Sequence, residues 1–198
     1  MAKQNYHHGN LPQALIRQGL EMLAQYGEEK LSLREVAKQC GVSSAAPYAH
    51  FKNKDEFIRA IIDFVMLELT KQLQETEKLH SGNKSLIIEL GLTYILFFLN
   101  KPNYFSVLFS RSNHAEAILL NNQYNENPAF SVLKHAAESI FENFPISEKQ
   151  KHNILLAMWS MVHGLAATVS MPGVAERMRQ DPDTEQRLRD ILTAFQQP

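Results

Sequence analysis

The stretch LSLREVAKQCGVSSAAPYAHFKNKDEF, Leu31 to Phe57, decides the fold. Ser32 precedes Glu35 by three residues, the spacing of a capping box, which predicts a short helix opening at Ser32. That helix stops at Gly41, where a tight turn needs the positive φ that a residue with Cβ tolerates poorly. A second short helix follows, capped by Ser43 or Ser44 and over by Phe51. Ser44 is favoured, because Pro47 then falls at the third helical position and removes no intrahelical bond. Val36, Ala37, Cys40 and Val42 are small or apolar where two helices must cross closely. Two short helices joined by a glycine turn form a helix-turn-helix, which predicts a second helix that enters the major groove of DNA.

The side chains suit that task. Ser43, Ser44, Tyr48 and His50 supply hydroxyl and imidazole groups, and Lys52 and Lys54 supply charge for phosphates. Ala45 and Ala46 keep the front of the helix low, so its backbone can approach the groove floor. Ser32, at the start of the preceding helix, is assigned to the same surface. Residues 1–54 carry a net +3 and residues 55–198 a net −4, a mild asymmetry with the sign phosphate binding requires. His7 and His8 add positive charge if protonated beside phosphates.

The chain reads as helices in both directions from this segment, with no sustained two-residue alternation. Towards the N-terminus, a helix begins after Asn10, with Pro12 in its first turn, and stops at Gly27. Towards the C-terminus, Asn53 and Glu56 repeat the capping-box spacing. They open a long helix whose Ile58, Ile61, Ile62, Val65, Leu69 and Leu73 share one face. Ser85 to Leu99 is strongly apolar and is broken by Lys101-Pro102-Asn103. An aromatic segment and Ala115 to Leu120 follow, and then the polar run Asn121 to Asn127, read as a loop. Pro128 starts another helix that ends near Phe144-Pro145, and Ser147 with Gln150 caps the next. Pro172-Gly173 and Asp181-Pro182 interrupt the chain before a final amphipathic helix with Leu188, Ile191, Leu192 and Phe195. The expected architecture is all-α: a three-helix head, residues 1–54, and a larger helical body, residues 55–198.

From His152 to Ala175 there is no Asp, Glu, Lys or Arg. That is long enough to span a bilayer. However, Asn153, Ser160, His163, Thr168 and Pro172 would be costly in lipid, and no basic cluster flanks the stretch. It reads as a helix buried on most faces. Ile154, Met158, Met161, Val162 and Leu165 form a broad apolar face on it, and with the stripe Leu188, Ile191, Leu192 and Phe195 they predict burial against a second copy of the chain.

The segment GVSSAAPYAHFKNKDEF resembles the recognition-helix signature of the TetR family of transcriptional regulators. Gly41, Val42, Ser43, Tyr48, Phe51 and Lys54 match it, as does the preceding run Leu31 to Ala37. Tyr6 to Leu11, YHHGNL, resembles the start of a subgroup that also carries Trp-x-x-x-His-Gly in its C-terminal domain, here Trp159 to Gly164. Pro47 and Ala46 depart from the larger or hydroxyl-bearing residues common in the family. The resemblance implies a cytoplasmic homodimer that reads a near-palindromic DNA operator with one head per subunit, Tyr6 and His7 joining the contacts. It implies a small, largely apolar effector held in the body, which releases a repressor from DNA, and a four-helix interface between subunits. Phe97, Phe98, Phe105, Phe109, Trp159 and His163 are candidates for the effector pocket, although ordinary core packing gives the same spacings.

The 198 residues are 44% hydrophobic and 21% charged, with a net charge of −1, which excludes a uniformly basic coat or a disordered acidic tail. The single cysteine, Cys40, excludes an intrachain disulfide and reads as a buried apolar residue in a reducing compartment. The opening MAKQNYHHGN lacks the apolar core of a signal peptide. His7 and His8 have no third ligand at regular spacing, so no metal or cofactor is expected. No Gly-x-Ser-x-Gly, phosphate loop, paired Cys motif or His-Glu-x-x-His argues for an enzyme. An enzyme with a site assembled only in three dimensions, or an all-helical protein-interaction module, is the alternative reading.

Overall fold

A computed structural model describes residues 10–109, 128–141 and 144–194. Among these residues the regular structure is entirely helical: α1 (Leu11–Lys30), α2 (Leu33–Gln39), a 3-10 turn (Ala46–Ala49), α3 (Lys54–Leu79), α4 (Leu86–Asn100), α5 (Pro102–Phe109), α6 (Pro128–Phe141), α7 (Glu148–Val169), α8 (Val174–Gln180) and α9 (Thr184–Ala194). The runs Ala115 to Leu120 and Asn121 to Asn127 lie outside the described residues, as do Tyr6, His7, His8 and Phe195. The chain divides into two compact units, Met1–Val65 and Met66–Pro198, and the division falls inside α3.

In the first unit, α1 packs on α2 and α2 on the 3-10 turn. Leu15, Val36, Ala37, Phe57 and Ile61 are fully buried, and the Phe51 and Phe57 rings meet at 4.9 Å. Gly27 was expected to stop α1. It does break the helical geometry, with φ 76° and ψ 174°, but the chain resumes helical bonding as far as Lys30. Asn10 and Ser32 occupy N-cap positions without making a side-chain cap bond. The capping box expected at Ser32 is therefore absent: Glu35 instead pairs with Lys38 at 3.5 Å. At Asn53 the cap does form, since its Oδ1 accepts from the Glu56 N–H at 2.9 Å. The Glu56 carboxylate reaches back one residue further than a capping box requires, to the Lys52 N–H at 2.8 Å.

In the second unit, α4 is central and packs against α5, α6, α7, α8 and α9. Its apolar composition follows from that position, because Leu92, Ile95, Phe98 and Leu99 find protein on every side. At Gly91 the neighbours come so close that an added Cβ would lie 3.1 Å from Val162 and 3.4 Å from Leu192. Glu89 of α4 binds Arg189 of α9, and the Arg179 guanidinium donates to the Leu99 carbonyl at 2.8 Å. The Ser147 capping box forms in full, with hydroxyl and Gln150 side chain both engaged. No single described helix is long and apolar enough to cross a membrane; α7 and α8 pass only as a pair, bent by 92°.

Candidate nucleic-acid interface and body cavity

The turn after α2 is built by Gly41. With φ at 70°, it lets the Val42 N–H reach the Ala37 carbonyl at 3.0 Å while its own N–H meets Lys38 at 3.1 Å, so α2 ends in a Schellman motif. The second element of the helix-turn-helix is not the α-helix expected from Ser43 or Ser44. It is a 3-10 turn with Ala45 as its N-cap. Pro47 sits in the first turn, where its missing N–H is compatible with either helix type, and the bonds are mainly three-residue ones, Ala46 to Ser43, Tyr48 to Ala45 and His50 to Pro47. The proline ring is buried, so the segment is fixed on its inner side.

This geometry leaves the outer side chains in solvent. Ser43, Ser44, Ala45, His50 and Lys52 are exposed, and Tyr48, a large ring, is 50% exposed. Ser32 is exposed at the start of α2, and Lys54 sits half-buried in the first turn of α3. All eight predicted residues among those described thus belong to one unit and none is taken up in its core. A hydroxyl-rich, basic face on a turn held rigid from behind can meet phosphates and base edges.

The second unit holds a cavity of about 240 Å³ among α3, α4, α5, α6, α7 and α9. Of the six predicted pocket residues, Phe109 and Trp159 line it. Phe97 and Phe98 are instead buried within the packing of α4 and do not line it. Phe105 and His163 stand behind the wall: His163 stacks on Trp159 with centroids 4.5 Å apart and contacts Phe105 at 5.0 Å and Phe109 at 4.5 Å. Burial lowers the His163 imidazole below its ordinary value, so it is neutral at pH 7.

Tyr94 was missed from sequence. It lines the cavity, and its hydroxyl lies 3.0 Å from His163 Nδ1. Burial pushes its phenol above the ordinary value, so the group stays protonated. The available signal was a phenol in the middle of a mostly apolar helix. Met66 on α3 was missed as well.

The residues expected at an interface between copies divide. Ile154, Met158, Met161, Val162 and Leu192 line the cavity, and Val162, Leu188 and Leu192 are buried within their own unit. The apolar area of these last three is already covered, because α4 packs on both α7 and α9. Leu165 and Ile191 are half-buried, and Ile154 stays 39% exposed.

Residues 15–61 match the family described as "Bacterial regulatory proteins, tetR family". An uncharacterised helix-turn-helix-type transcriptional regulator of Haemophilus influenzae is 26% identical over 153 residues, 77% of this chain and 70% of that protein. Among solved structures, a TetR-like transcriptional regulator from Rhodococcus sp. RHA1 superposes with a TM-score of 0.64 at 15% identity, over 91% of this chain and 92% of that one. A TetR variant from Acinetobacter baumannii in complex with minocycline superposes with a TM-score of 0.54 at 18% identity, over 92% and 94% of the two chains. With the glycine-built turn and the exposed 3-10 element, the match makes residues 15–61 a helix-turn-helix segment similar to that of the tetR bacterial regulatory proteins, while the two solved structures show a shared fold.

Proposed function

We propose that this DNA-binding transcriptional regulator is a cytoplasmic homodimeric repressor, released from a near-palindromic operator by a small molecule held in its second unit. The observation that carries this reading is an apolar cavity in the unit that follows a helix-turn-helix head. The minocycline complex of a protein with the same fold supports a ligand-bearing body. Trp159 to Gly164 and Tyr6 to Leu11 support membership of the subgroup with Trp-x-x-x-His-Gly. The chain acts by binding and not by catalysis.

In the repressing state, Ser43, Ser44, Ala45 and Tyr48 meet base edges, while Ser32, His50, Lys52 and Lys54, with Tyr6 and His7, hold phosphates. The helix α3 carries Lys54 in its first turn and Met66, Leu69 and Leu73 on the cavity wall. A ligand that shifts α3 therefore moves a phosphate contact. Its different affinity for the two positions of α3 supplies a coupling of about 1–3 kcal/mol.

The dimer forms on α7 and α9. On α7, Asn153, Ile154, Ala157, Ser160, Gly164 and Thr168 are exposed and carry no charge, unlike a helix face that meets water. Selection of bound fragments from random DNA by the purified protein, with and without cell extract, tests the whole reading. Enrichment of an inverted repeat, lost with extract, is expected; enrichment of no sequence overturns it.

A further inference from the structure

The cavity has a chemical character that narrows what it holds, and the inference drawn from it rests on the ligand-binding half of the function just proposed. No Asp, Glu, Lys, Arg or His is among its described lining residues. Tyr94 and Trp159 are the lining residues whose side chains bear nitrogen or oxygen. A carboxylate or ammonium entering such a space sheds its hydration and meets no opposite charge among the described lining residues, so it is disfavoured. Phe109, Phe130, Tyr94 and Trp159 offer aromatic walls, and Met66, Met158 and Met161 add deformable thioethers that sit well against rings. At about 240 Å³ the space falls just under the ~300–1,000 Å³ of sites that hold drug-sized molecules.

The Tyr94 hydroxyl of the wall is backed by His163. The Tyr94 hydroxyl lies 3.0 Å from His163 Nδ1, and the indole of Trp159 stacks on the same imidazole one helical turn away. A neutral imidazole has two tautomers, and each sets the phenol differently. With the proton on Nε2, Tyr94 donates to Nδ1 and keeps lone pairs that accept from a ligand hydroxyl. With the proton on Nδ1, Tyr94 accepts from His163 and its own O–H is released towards a ligand oxygen. The pair thus adapts to a donor or an acceptor without acquiring charge.

We infer that the cavity selects a small, uncharged ring compound bearing a hydroxyl or carbonyl group, with Tyr94 as the hydrogen-bonding partner and His163 as the residue that positions it. In this role the Trp-x-x-x-His spacing is a working unit: Trp159 lines the wall and locks His163, and His163 orients the phenol of another helix.

Trp159 is the chain's one tryptophan, so its emission reports on the cavity directly. The experiment titrates the full-length native protein with para-propylphenol, propylbenzene and para-propylbenzoate at neutral pH, following that emission and the heat of binding. The phenol should give a saturable change, the hydrocarbon should bind about tenfold more weakly, and the carboxylate should give none. Tyr94→Phe should bring the phenol down to the affinity of the hydrocarbon while leaving the hydrocarbon's affinity unchanged. Carboxylate binding as tight as that of the phenol overturns the uncharged class. Equal affinities for phenol and hydrocarbon in the native chain overturn the role of Tyr94, yet leave the second unit as a ligand-binding body. Silence towards all three overturns both the inference and the ligand half of the proposed function, while the DNA half stands or falls by the operator selection. The ranking in the native chain decides the matter even if the Tyr94 variant fails to fold.

Discussion

His163 shows how a single side chain joins packing to chemistry. Its imidazole is stacked on Trp159 and edged by Phe109, and burial lowers its proton affinity. Because the folded value lies below the unfolded one, the contribution to stability is present in full above about pH 6.5. It is lost as pH falls from there through the lowered folded value. A protonated imidazole quenches a stacked indole, so Trp159 emission should drop on acidification with a midpoint below 6.5; a midpoint at or above 6.5 would mean that the ring behaves as if in water. Lys54 poses a different question, since it opens α3 from a half-buried position. Lys54→Ala should weaken binding to every DNA sequence and flatten the slope of log K against log salt by about one unit, as filter binding at several salt concentrations would show. An unchanged slope removes Lys54 from the phosphate contacts. At this scale the head was legible because its residues carry distinct chemistry at fixed spacing. The cavity was not: Phe97 and Phe109 look alike in sequence, and only the packing of α4 decides that the first is core and the second is wall.

At the scale of elements, breaks proved easier to read than caps. Gly41 and Pro102 act through their own backbone, so their effect is local and visible in sequence. A capping box depends on where a flexible side chain spends its time, and two boxes of like spacing had different outcomes. Glu35 has Lys38 one turn on, and the ion pair draws the carboxylate away from Ser32. Gln150 carries no charge, and the nearby Lys151 is occupied by Glu148 at 2.7 Å, which leaves the amide free to reach the Ser147 N–H at 2.8 Å. Ser147→Ala should therefore cost about 1 kcal/mol of stability, as for other cap deletions. Ser32→Ala should cost clearly less, because there is no cap bond to lose. Denaturant melts of the two variants provide the check, and equal losses would contradict the assigned difference. The 3-10 turn was illegible for a related reason. A proline in the first turn is compatible with either helix type, and its choice here depends on burial of the ring against the first unit.

For the whole molecule, the described residues of the apolar stripes serve more than one purpose. An uncharged helix predicts cover, and the second unit already supplies part of it for α7, where Leu155, Val162 and Val169 are buried, Leu155 against Phe130, Ala137 and Phe141 of α6. What the proposed second copy would cover is the remaining face, where Ala157, Ser160, Gly164 and Thr168 are small, uncharged and exposed. Small side chains on a helix let a neighbouring backbone approach closely, and a bulky charge placed there is tolerated only while the face meets water. Gly164 is the sharpest probe, because a Cβ at that position finds nothing within 4 Å among the described residues. Gly164→Glu should consequently leave the fold intact, and even favour α7 through better helix propensity, by up to about 1 kcal/mol. Its effect on assembly should be the opposite: a carboxylate pressed against its symmetry mate has no partner, so sedimentation equilibrium should find monomers with an unchanged helical circular dichroism spectrum. Affinity for an inverted-repeat operator should fall with it, since two heads no longer bind as one ligand. A Gly164→Glu protein that remains dimeric moves the interface off this face of α7, whereas one that is monomeric yet binds the full operator as tightly as before detaches dimerisation from DNA recognition.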